Sequence, residues 1–263
     1  MVFSLTWLPG ALKEAGLKVG EVDGWESRGR AEMGEVMGII CHHTAGPKNG
    51  NMPSMRTLLD GRPDLPGPLS QLGLGRDGTF YVIAAGRCNH AGAGVWQGVT
   101  NGNSNFIGIE AENMGDGKDP WPDVQVDAYQ RGVAAILKYV GKTADFCAGH
   151  KEYATPKGRK DDPNFDMIAF RSAVAAILAG TAPAPELIPA SSPSPTPGAP
   201  ERPTLRRGDT GPFVKEMQAR LKTEADGYFG PQSEALMRAF QRDHGMVADG
   251  IVGPKTWAAL DQA

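Results

Sequence analysis

The stretch VMGIICHH, residues 36–43, decides how the first part of the chain is interpreted. Its first six residues are nearly all apolar, which predicts a buried strand over 36–41, and two adjacent histidines follow at the end of that strand. Domains built from strands and helices bind ligands at strand ends. Neighbouring residues of an extended chain point in opposite directions, so we expect only one of His42 and His43 to face a site.

The sequence around this stretch alternates predicted strands with predicted helices. Four apolar runs have the length and composition of strands, namely 36–41, 79–84, 106–111 and 145–148. The run at 79–84 follows turn residues and is expected to pair with residues near 69–74. Apolar residues at helical spacing predict helices over about 123–140 and 165–179. The fold class is therefore α/β, with a mixed central sheet flanked by helices.

Residues 181–200, TAPAPELIPASSPSPTPGAP, divide the chain. They hold seven of its 21 prolines, one charged residue and no aromatic residue. Such a segment buries too little apolar surface to offset the entropy of ordering, so it predicts an extended linker. We therefore expect a catalytic domain over 1–180, a Pro-rich linker over 181–203 and a second domain over 204–263.

The second domain contains an internal repeat. The octapeptide DGYFGPQS at 226–233 recurs 23 residues later as DGIVGPKT at 249–256. Each copy places turn residues just before a proline, which suits the first turn of a helix. Apolar spacing predicts three short helices at about 211–222, 231–243 and 254–261. The apolar residues that share a face are Val214, Met217 and Leu221 in the first, Leu236, Ala239 and Phe240 in the second, and Trp257 and Leu260 in the third.

Composition excludes several classes of protein. The net charge is −3 and no Lys/Arg-rich block is present, so we expect no nucleic-acid partner. No apolar run approaches the ~18–20 residues that cross a membrane, and the start of the chain lacks the features of a signal peptide. The three cysteines are widely spaced, which predicts free thiols in a reducing compartment.

Histidines and acidic residues from three segments form a candidate metal site. One of His42 and His43, together with His150 and one of Asp161 and Asp162, gives two imidazoles and a carboxylate, which is a feasible zinc site with an open fourth position. Spacing alone does not choose within either pair. A histidine at a strand end is also commonly a hydrogen-bonded structural residue, and Asp-Asp-Pro is also a turn pattern.

Four motifs follow one another along the first domain. They are ICHHTAG at 40–46, GRCNHAG at 86–92, NFIGIE at 105–110, and a segment that runs from Gly149-His150 to GRKDDP at 158–163. Together they resemble the motifs of the zinc-dependent N-acetylmuramoyl-L-alanine amidases, a family that includes phage endolysin amidases and peptidoglycan recognition proteins. The resemblance covers about residues 36–166.

This resemblance implies a zinc-binding set and a catalytic set. The zinc ligands that it carries over are His42, His150 and Asp162. It also implies that Glu110 transfers a proton during amide hydrolysis and that Lys160 stabilises the oxyanion.

Two further positions stay open. Glu112 shares the strand face of Glu110, so it is either a competing candidate for proton transfer or a solvated or supporting residue. His90, in the His-Ala-Gly motif, is a candidate substrate-binding residue, and a structural role in its loop is the alternative.

Residues 204–260 resemble the three-helix peptidoglycan-binding module of many cell-wall hydrolases, through LRRGDTG at 205–211 and the two repeated turns. Asp226, Tyr228 and Asp249 line these turns and could either hold glycan or serve the fold. The two resemblances together imply an endolysin that cuts the amide between N-acetylmuramic acid and L-alanine of bacterial peptidoglycan.

Such an enzyme would act as a monomer without membrane insertion. It would stay in the host cytoplasm until a holin releases it, and would then act on the cell wall. The alternative is a noncatalytic peptidoglycan-recognition protein of the same fold. Proteins of that kind typically lack the third zinc ligand, so the presence of both Asp162 and Lys160 argues against it.

Overall fold

The computed structural model describes residues 2–182, 202–244 and 250–262. It divides into two units, Met1–Pro185 and Glu186–Ala263. Most of the expected linker, residues 183–201, lies outside the described residues, and the predicted domain boundaries remain a prediction. No helix in the described ranges is both long enough and apolar enough to cross a membrane.

A six-stranded mixed sheet forms the centre of the first unit. The strands of this unit are β1 (Val19–Glu21), β2 (Gly38–His43), β3 (Gly61–Arg62), β4 (Leu65–Pro66), β5 (Leu72–Leu74), β6 (Phe80–Val82), β7 (Phe106–Ala111) and β8 (Cys147–Gly149). The sheet has the order β1-β6-β5-β7-β2-β8, while β3 and β4 form a separate hairpin. Only β5 and β6 pair antiparallel within the sheet. The predicted α/β class with a mixed sheet is confirmed.

The two faces of this sheet are covered differently. The helices of the unit are α1 (Leu8–Glu14), α2 (Met55–Asp60), α3 (Gly102–Asn105), α4 (Asp123–Tyr139), α5 (His150–Tyr153) and α6 (Met167–Leu178). Ile39 and Cys41 of β2 pack into the main core with residues of α1, α4 and α6. The intervening Ile40 packs with Phe106 and Tyr153 in a smaller core. Because side chains alternate along a strand, His42 lies on the face of Ile40, away from the long helices.

Sequence and structure differ at the ends of the strands. The predicted strand 36–41 is observed at 38–43, because its pairing with β7 continues to the partners His43 and Ala111. Both histidines are therefore part of the sheet. The short strand expected at 145–148 begins at Cys147, since Ala144–Phe146 form a 3-10 turn. The expected pairing of 79–84 with the segment near 69–74 is confirmed by β5 and β6.

The described residues of the second unit form three helices, α7 (Pro212–Arg220), α8 (Pro231–Asp243) and α9 (Pro254–Leu260). Its core contains Leu205, Val214, Met217, Phe229, Met237, Val252, Trp257 and Leu260, with Leu221 and Phe240 at the edge. Leu236 is only partly buried, and Met237 is the fully buried apolar residue of α8. Met237 lies 23 residues after Val214, so the two occupy equivalent positions of the repeat.

The repeat also includes a buried glutamine in each copy. Gln218 Oε1 accepts the N–H of Gly227 at 2.8 Å, and Gln241 Oε1 accepts the N–H of Gly250 at 2.8 Å. Each side-chain amide then donates to a carbonyl oxygen of the same turn, that of Tyr228 at 3.0 Å and that of Ile251 at 2.9 Å. The structural repeat thus begins in the helix before each turn, earlier than the octapeptide.

Asp226 serves the turn itself. Its carboxylate accepts the N–H of Tyr228 at 2.8 Å and the amide of Gln218 at 2.6 Å. The side chain of Tyr228 is about half exposed, at 49%. Of the three turn residues considered for glycan binding, Asp226 therefore holds the fold, Tyr228 faces solvent, and Asp249 lies outside the described residues.

Candidate metal centre and active site

Three side chains meet on the sheet face that the long helices leave uncovered. His42 is near the end of β2, His150 begins α5 directly after β8, and Asp162 lies in the loop beyond α5. The Nδ1 atoms of His42 and His150 are 3.1 Å apart, and each lies 3.0 Å from Asp162 Oδ2. All three residues are buried. The structure thus brings together the three residues that the motifs proposed as ligands.

The outer ring nitrogens show where the protons are. A carbonyl oxygen only accepts, so a neutral imidazole that faces one carries its proton on that nitrogen and a lone pair on the other. His150 Nε2 lies 2.9 Å from the carbonyl oxygen of Ala91, and His90 Nε2 lies 3.1 Å from that of Phe106. His42 Nε2 lies 3.1 Å from His90 Nδ1 and must donate to it. Both Nδ1 atoms at the centre therefore carry lone pairs.

Burial keeps the rings of His42 and His90 neutral. Burial, together with the nearby His150, lowers the pKa of His42 to about 4. Burial and the nearby His42 also hold the pKa of His90 well below its usual value. Near pH 7, the lone pair on His42 Nδ1 thus faces the carboxylate oxygen of Asp162 at 3.0 Å, which is unfavourable without a cation between them.

This donor set fits zinc. Zinc binds imidazole nitrogen at about 2.0–2.1 Å with tetrahedral geometry, which separates ligand atoms by about 3.3 Å. The observed separations of 3.0–3.1 Å are close to that value. Three protein ligands leave a fourth tetrahedral position for water or substrate, as in catalytic zinc sites.

Glu110 lies beside the candidate ligands. It is the register partner of His42 across β2 and β7, and its Oε1 is 3.9 Å from His42 Nδ1. Its Oε2 is buried and has no hydrogen-bond partner among the described residues. Burial and the charge of Asp162 raise the pKa of Glu110 well above its usual value, while the positive charge of Lys160 opposes the rise. A carboxyl group in this state is suited to accepting and returning a proton.

Glu112 is held quite differently. It is fully buried, and its oxygens accept from the Thr44 hydroxyl at 2.8 Å and from the Ser54 N–H and hydroxyl at 3.0 and 2.9 Å. Gly46 lies so close that a β-carbon there would collide with the Glu112 carboxylate and the Ser54 hydroxyl. Glu112 thus ties the loop after β2 to the sheet and is not a solvated residue.

An open cavity of about 170 Å³ gives access to the site. Glu110, Lys160 and the three candidate ligands all line it, and residues of the β3–β4 hairpin, including Arg62, also contribute. His43 borders the cavity as well, although its ring packs against Gly115 and its Nδ1 lacks a hydrogen-bond partner in the described chain. As the alternation of side chains predicts, His42 belongs to the metal cluster and His43 does not. Both histidines nevertheless line the cavity.

His90 lies at the buried side of the cavity. Both of its ring nitrogens contact protein atoms, one at His42 and one at Phe106. The sequence suggested that His90 contacts substrate. In the structure, both nitrogens of its ring already contact protein atoms.

Sequence reasoning missed two residues that hold this site. Tyr129 lies in the helix predicted over 123–140, and its hydroxyl accepts the N–H of His42 at 3.0 Å and donates to the carbonyl of Ile109 at 2.9 Å. Asn103 Oδ1 accepts the N–H groups of His90 and Ala91 at 2.9 and 2.8 Å. The available signal for Tyr129 was a polar atom on an otherwise apolar helix face.

An α/β domain that presents two imidazoles and a carboxylate beside a buried glutamate has the arrangement of a metal-dependent hydrolase. The sequence profile described as N-acetylmuramoyl-L-alanine amidase matches residues 32–165, half of the chain, and the chain belongs to this family. The prediction of an amidase-class enzyme is thereby confirmed at the level of the family. A second profile, described as a putative peptidoglycan binding domain, matches residues 210–260.

Individual proteins are also similar to parts of the chain. An uncharacterised protein of Kitasatospora aureofaciens is 41% identical over 101 residues, which are 34% of this chain and 86% of that protein. A probable N-acetylmuramoyl-L-alanine amidase of Bacillus licheniformis is 31% identical over 142 residues, 50% of this chain but only 39% of that protein. A solved structure of a selenomethionine AmpD derivative is 20% identical, covers 66% of this chain and 99% of that chain, and has a TM-score of 0.46.

Proposed function

We propose that this protein is a zinc-dependent amidase that hydrolyses the amide between the lactyl group of N-acetylmuramic acid and the first L-alanine of the stem peptide. The observation that carries the proposal is the convergence of lone pairs from His42, His150 and Asp162 next to Glu110, whose buried Oε2 has no hydrogen-bond partner in the part of the chain that the structure describes. The family match of residues 32–165 supports the choice of substrate.

The proposed mechanism assigns a role to each group. His42, His150 and Asp162 would hold zinc, which when bound lowers the pKa of a water ligand to about 7 and polarises the carbonyl of the scissile amide. Glu110 accepts the proton of the attacking water on its carboxylate. Its raised pKa lets it keep that proton until the leaving nitrogen of L-alanine takes it. Lys160, which lines the same cavity, donates to the developing oxyanion.

We propose that the second unit attaches the enzyme to peptidoglycan, and that the whole chain is a phage endolysin. The profile match of residues 210–260 supports the attachment role. In this proposal the chain is a monomer that accumulates in the host cytoplasm, leaves when a holin opens the membrane, and lyses the host by degrading its wall. Co-expression with a holin should lyse bacteria, and lysis to the same extent without it would contradict this part.

Mass spectrometry of digested peptidoglycan tests the bond specificity. An amidase releases free stem peptides and leaves the glycan strands intact. Cut glycan strands or cut cross-bridges would contradict the proposal. Glu110→Gln protein, purified in the same way, is the matched control, because any product that it releases comes from contaminating wall hydrolases.

The competing proposal is that the chain is a noncatalytic peptidoglycan-recognition protein. It predicts that the chain binds wall fragments and releases nothing, with or without added zinc. The ligand set together with Glu110 and Lys160 around one cavity favours the enzyme.

Truncation after residue 182 tests the role of the second unit. The truncated chain should hydrolyse small soluble muropeptides at the parental rate and should lose co-sedimentation with intact walls. Equal wall binding by both forms would remove the attachment role from residues 202–262.

A further inference from the structure

We infer that His90 is a positioning residue of the metal centre, which fixes the ring orientation and tautomer of His42 through an imidazole–imidazole hydrogen bond. The inference rests on the proposed zinc-binding role of His42. It replaces the substrate contact that the sequence suggested for His90.

The hydrogen bonds run in one direction through three residues. Phe106 offers a main-chain carbonyl, which accepts from His90 Nε2 at 3.1 Å. The proton of the neutral His90 ring is therefore on Nε2, and its Nδ1 is an acceptor. His42 Nε2 lies 3.1 Å from this acceptor and donates to it, with the two rings at 89° to each other. The remaining lone pair of His42 is thereby placed on Nδ1, the atom that faces Asp162 and His150.

The fold clamps His90 in this orientation. Asn103 Oδ1 accepts the N–H groups of His90 and Ala91 and so fixes the loop. On the other side the ring lies against Gly108 of β7, where a β-carbon would come within 2.6 Å of the ring. Gln71 Oε1 in turn accepts the N–H of Gly108 at 2.8 Å. The absence of a side chain at 108 is therefore what makes room for the ring.

The same loop orients the second histidine ligand. The carbonyl of Ala91, the residue after His90, accepts from His150 Nε2 at 2.9 Å. Two adjacent residues thus set the tautomers of both histidine ligands, His90 with its side chain and Ala91 with its main chain. Partners of this kind, which hydrogen-bond to the far nitrogen of a metal-bound histidine, typically contribute about 10–100-fold to metal affinity.

Three substitutions at His90 separate positioning from substrate contact. His90→Asn keeps an acceptor oxygen near the place of Nδ1, His90→Gln keeps a polar group only near the place of Nε2, and His90→Leu keeps neither. The zinc dissociation constant of each full-length variant is measured by competition with a chelator of known affinity. We expect His90→Gln and His90→Leu to bind zinc about 10–100-fold more weakly than the parent, and His90→Asn to recover most of that loss.

The outcomes are distinguishable. If the parent binds no zinc, the proposed zinc mechanism and this inference both fail. If the parent binds zinc and all three variants bind it equally, the inference fails while the proposed function stands. A raised KM for muropeptide with an unchanged zinc dissociation constant would likewise assign His90 to the substrate. Equal weakening by His90→Asn and His90→Leu would show a merely structural role.

A measurement on the parent chain avoids the risk that variants misfold. Nitrogen-15 NMR of the zinc-loaded protein, labelled at histidine, reports the protonated nitrogen of each ring. We expect His42 and His90 both to carry their protons on Nε2. A proton on His90 Nδ1 would overturn the inference, because His42 would then have no acceptor there.

Discussion

The two units each bury a small group of polar side chains, and the groups differ in where their hydrogen bonds go. In the second unit, Gln218 and Gln241 donate to and accept from main-chain atoms of the turns that they hold. In the first unit, His42, His150 and Asp162 turn lone pairs toward one another. Buried polar atoms are nearly always paired, so the first arrangement serves the fold, whereas the second is a ligand set suited to a cation.

The same contrast recurs within the first unit over two residues. Glu112 has three donors around its carboxylate, whereas Glu110 has a buried oxygen without a hydrogen-bond partner in the described chain. Chemical type and strand face are alike for the two glutamates. Their surroundings alone separate a supporting residue from a candidate proton carrier.

Removing the metal should have the largest effect on activity. It should act on the polar group of the first unit and leave the buried glutamines of the second unit unaffected. A chelator should reduce hydrolysis of soluble muropeptide to background, and added zinc should restore it. The thermal transition of the second unit should not change, since Gln218 and Gln241 need no ion. Full activity of chelator-treated, metal-free protein would break the comparison.

Replacing each of the two glutamates by glutamine, one at a time, should give the next largest effect. Glu110→Gln should lower kcat by about 10²–10⁴-fold with unchanged zinc content, because it removes the group that carries the proton. The matched variant Glu112→Gln should mainly lower the free energy of unfolding, by about 1–3 kcal/mol, because it disturbs a satisfied buried acceptor.

Both variants are measured by steady-state kinetics, metal analysis and denaturant unfolding. An equal loss of kcat in the two, at equal zinc content, would contradict the distinction between them.

Gln218→Ala should give the smallest effect and act only on the second unit. It leaves the N–H of Gly227 without its acceptor, which should destabilise the unit by about 1–3 kcal/mol. For a unit of this size the midpoint of thermal unfolding should fall by roughly 4–8 °C per kcal/mol. Gln232→Ala, at an exposed position of α8, is the matched control and should change little.

Turnover of soluble muropeptide is measured beside the thermal scans. A Gln218→Ala chain with parental stability would show that the glutamine does not hold its turn.

Periodicity in the sequence predicted the sheet class, most helices and the face on which Glu110 lies. Motifs then selected His42, His150 and Asp162, and the structure places these three side chains together. Periodicity assigns a face to a residue but not a partner. The partners of Glu112 lie 58 and 68 residues away in the chain, so its supporting role was not visible.

Two other features were not predicted from the sequence, either because their partners are distant in the chain or because their sequence pattern is weak. The engagement of both nitrogens of His90 depends on strand β7 and on the end of β2, which only the folded sheet brings together. Strand β1 has three residues, Val-Gly-Glu, and adds to the sheet edge beside β6, with Val19 packed against the main core. Its sequence has no apolar run from which a strand could be predicted.

The strand order β1-β6-β5-β7-β2-β8 also affects how fast the two units form. Strand β2 pairs with strands that begin 68 and 109 residues after its own first residue, at Phe106 and Cys147. In the second unit each glutamine reaches a turn only nine residues ahead. Because non-local pairing slows folding, the second unit should refold well before the sheet. Stopped-flow fluorescence of chains that keep only Trp257, or only Trp25, would follow the two units separately, and simultaneous refolding would show that chain separation does not limit the rate.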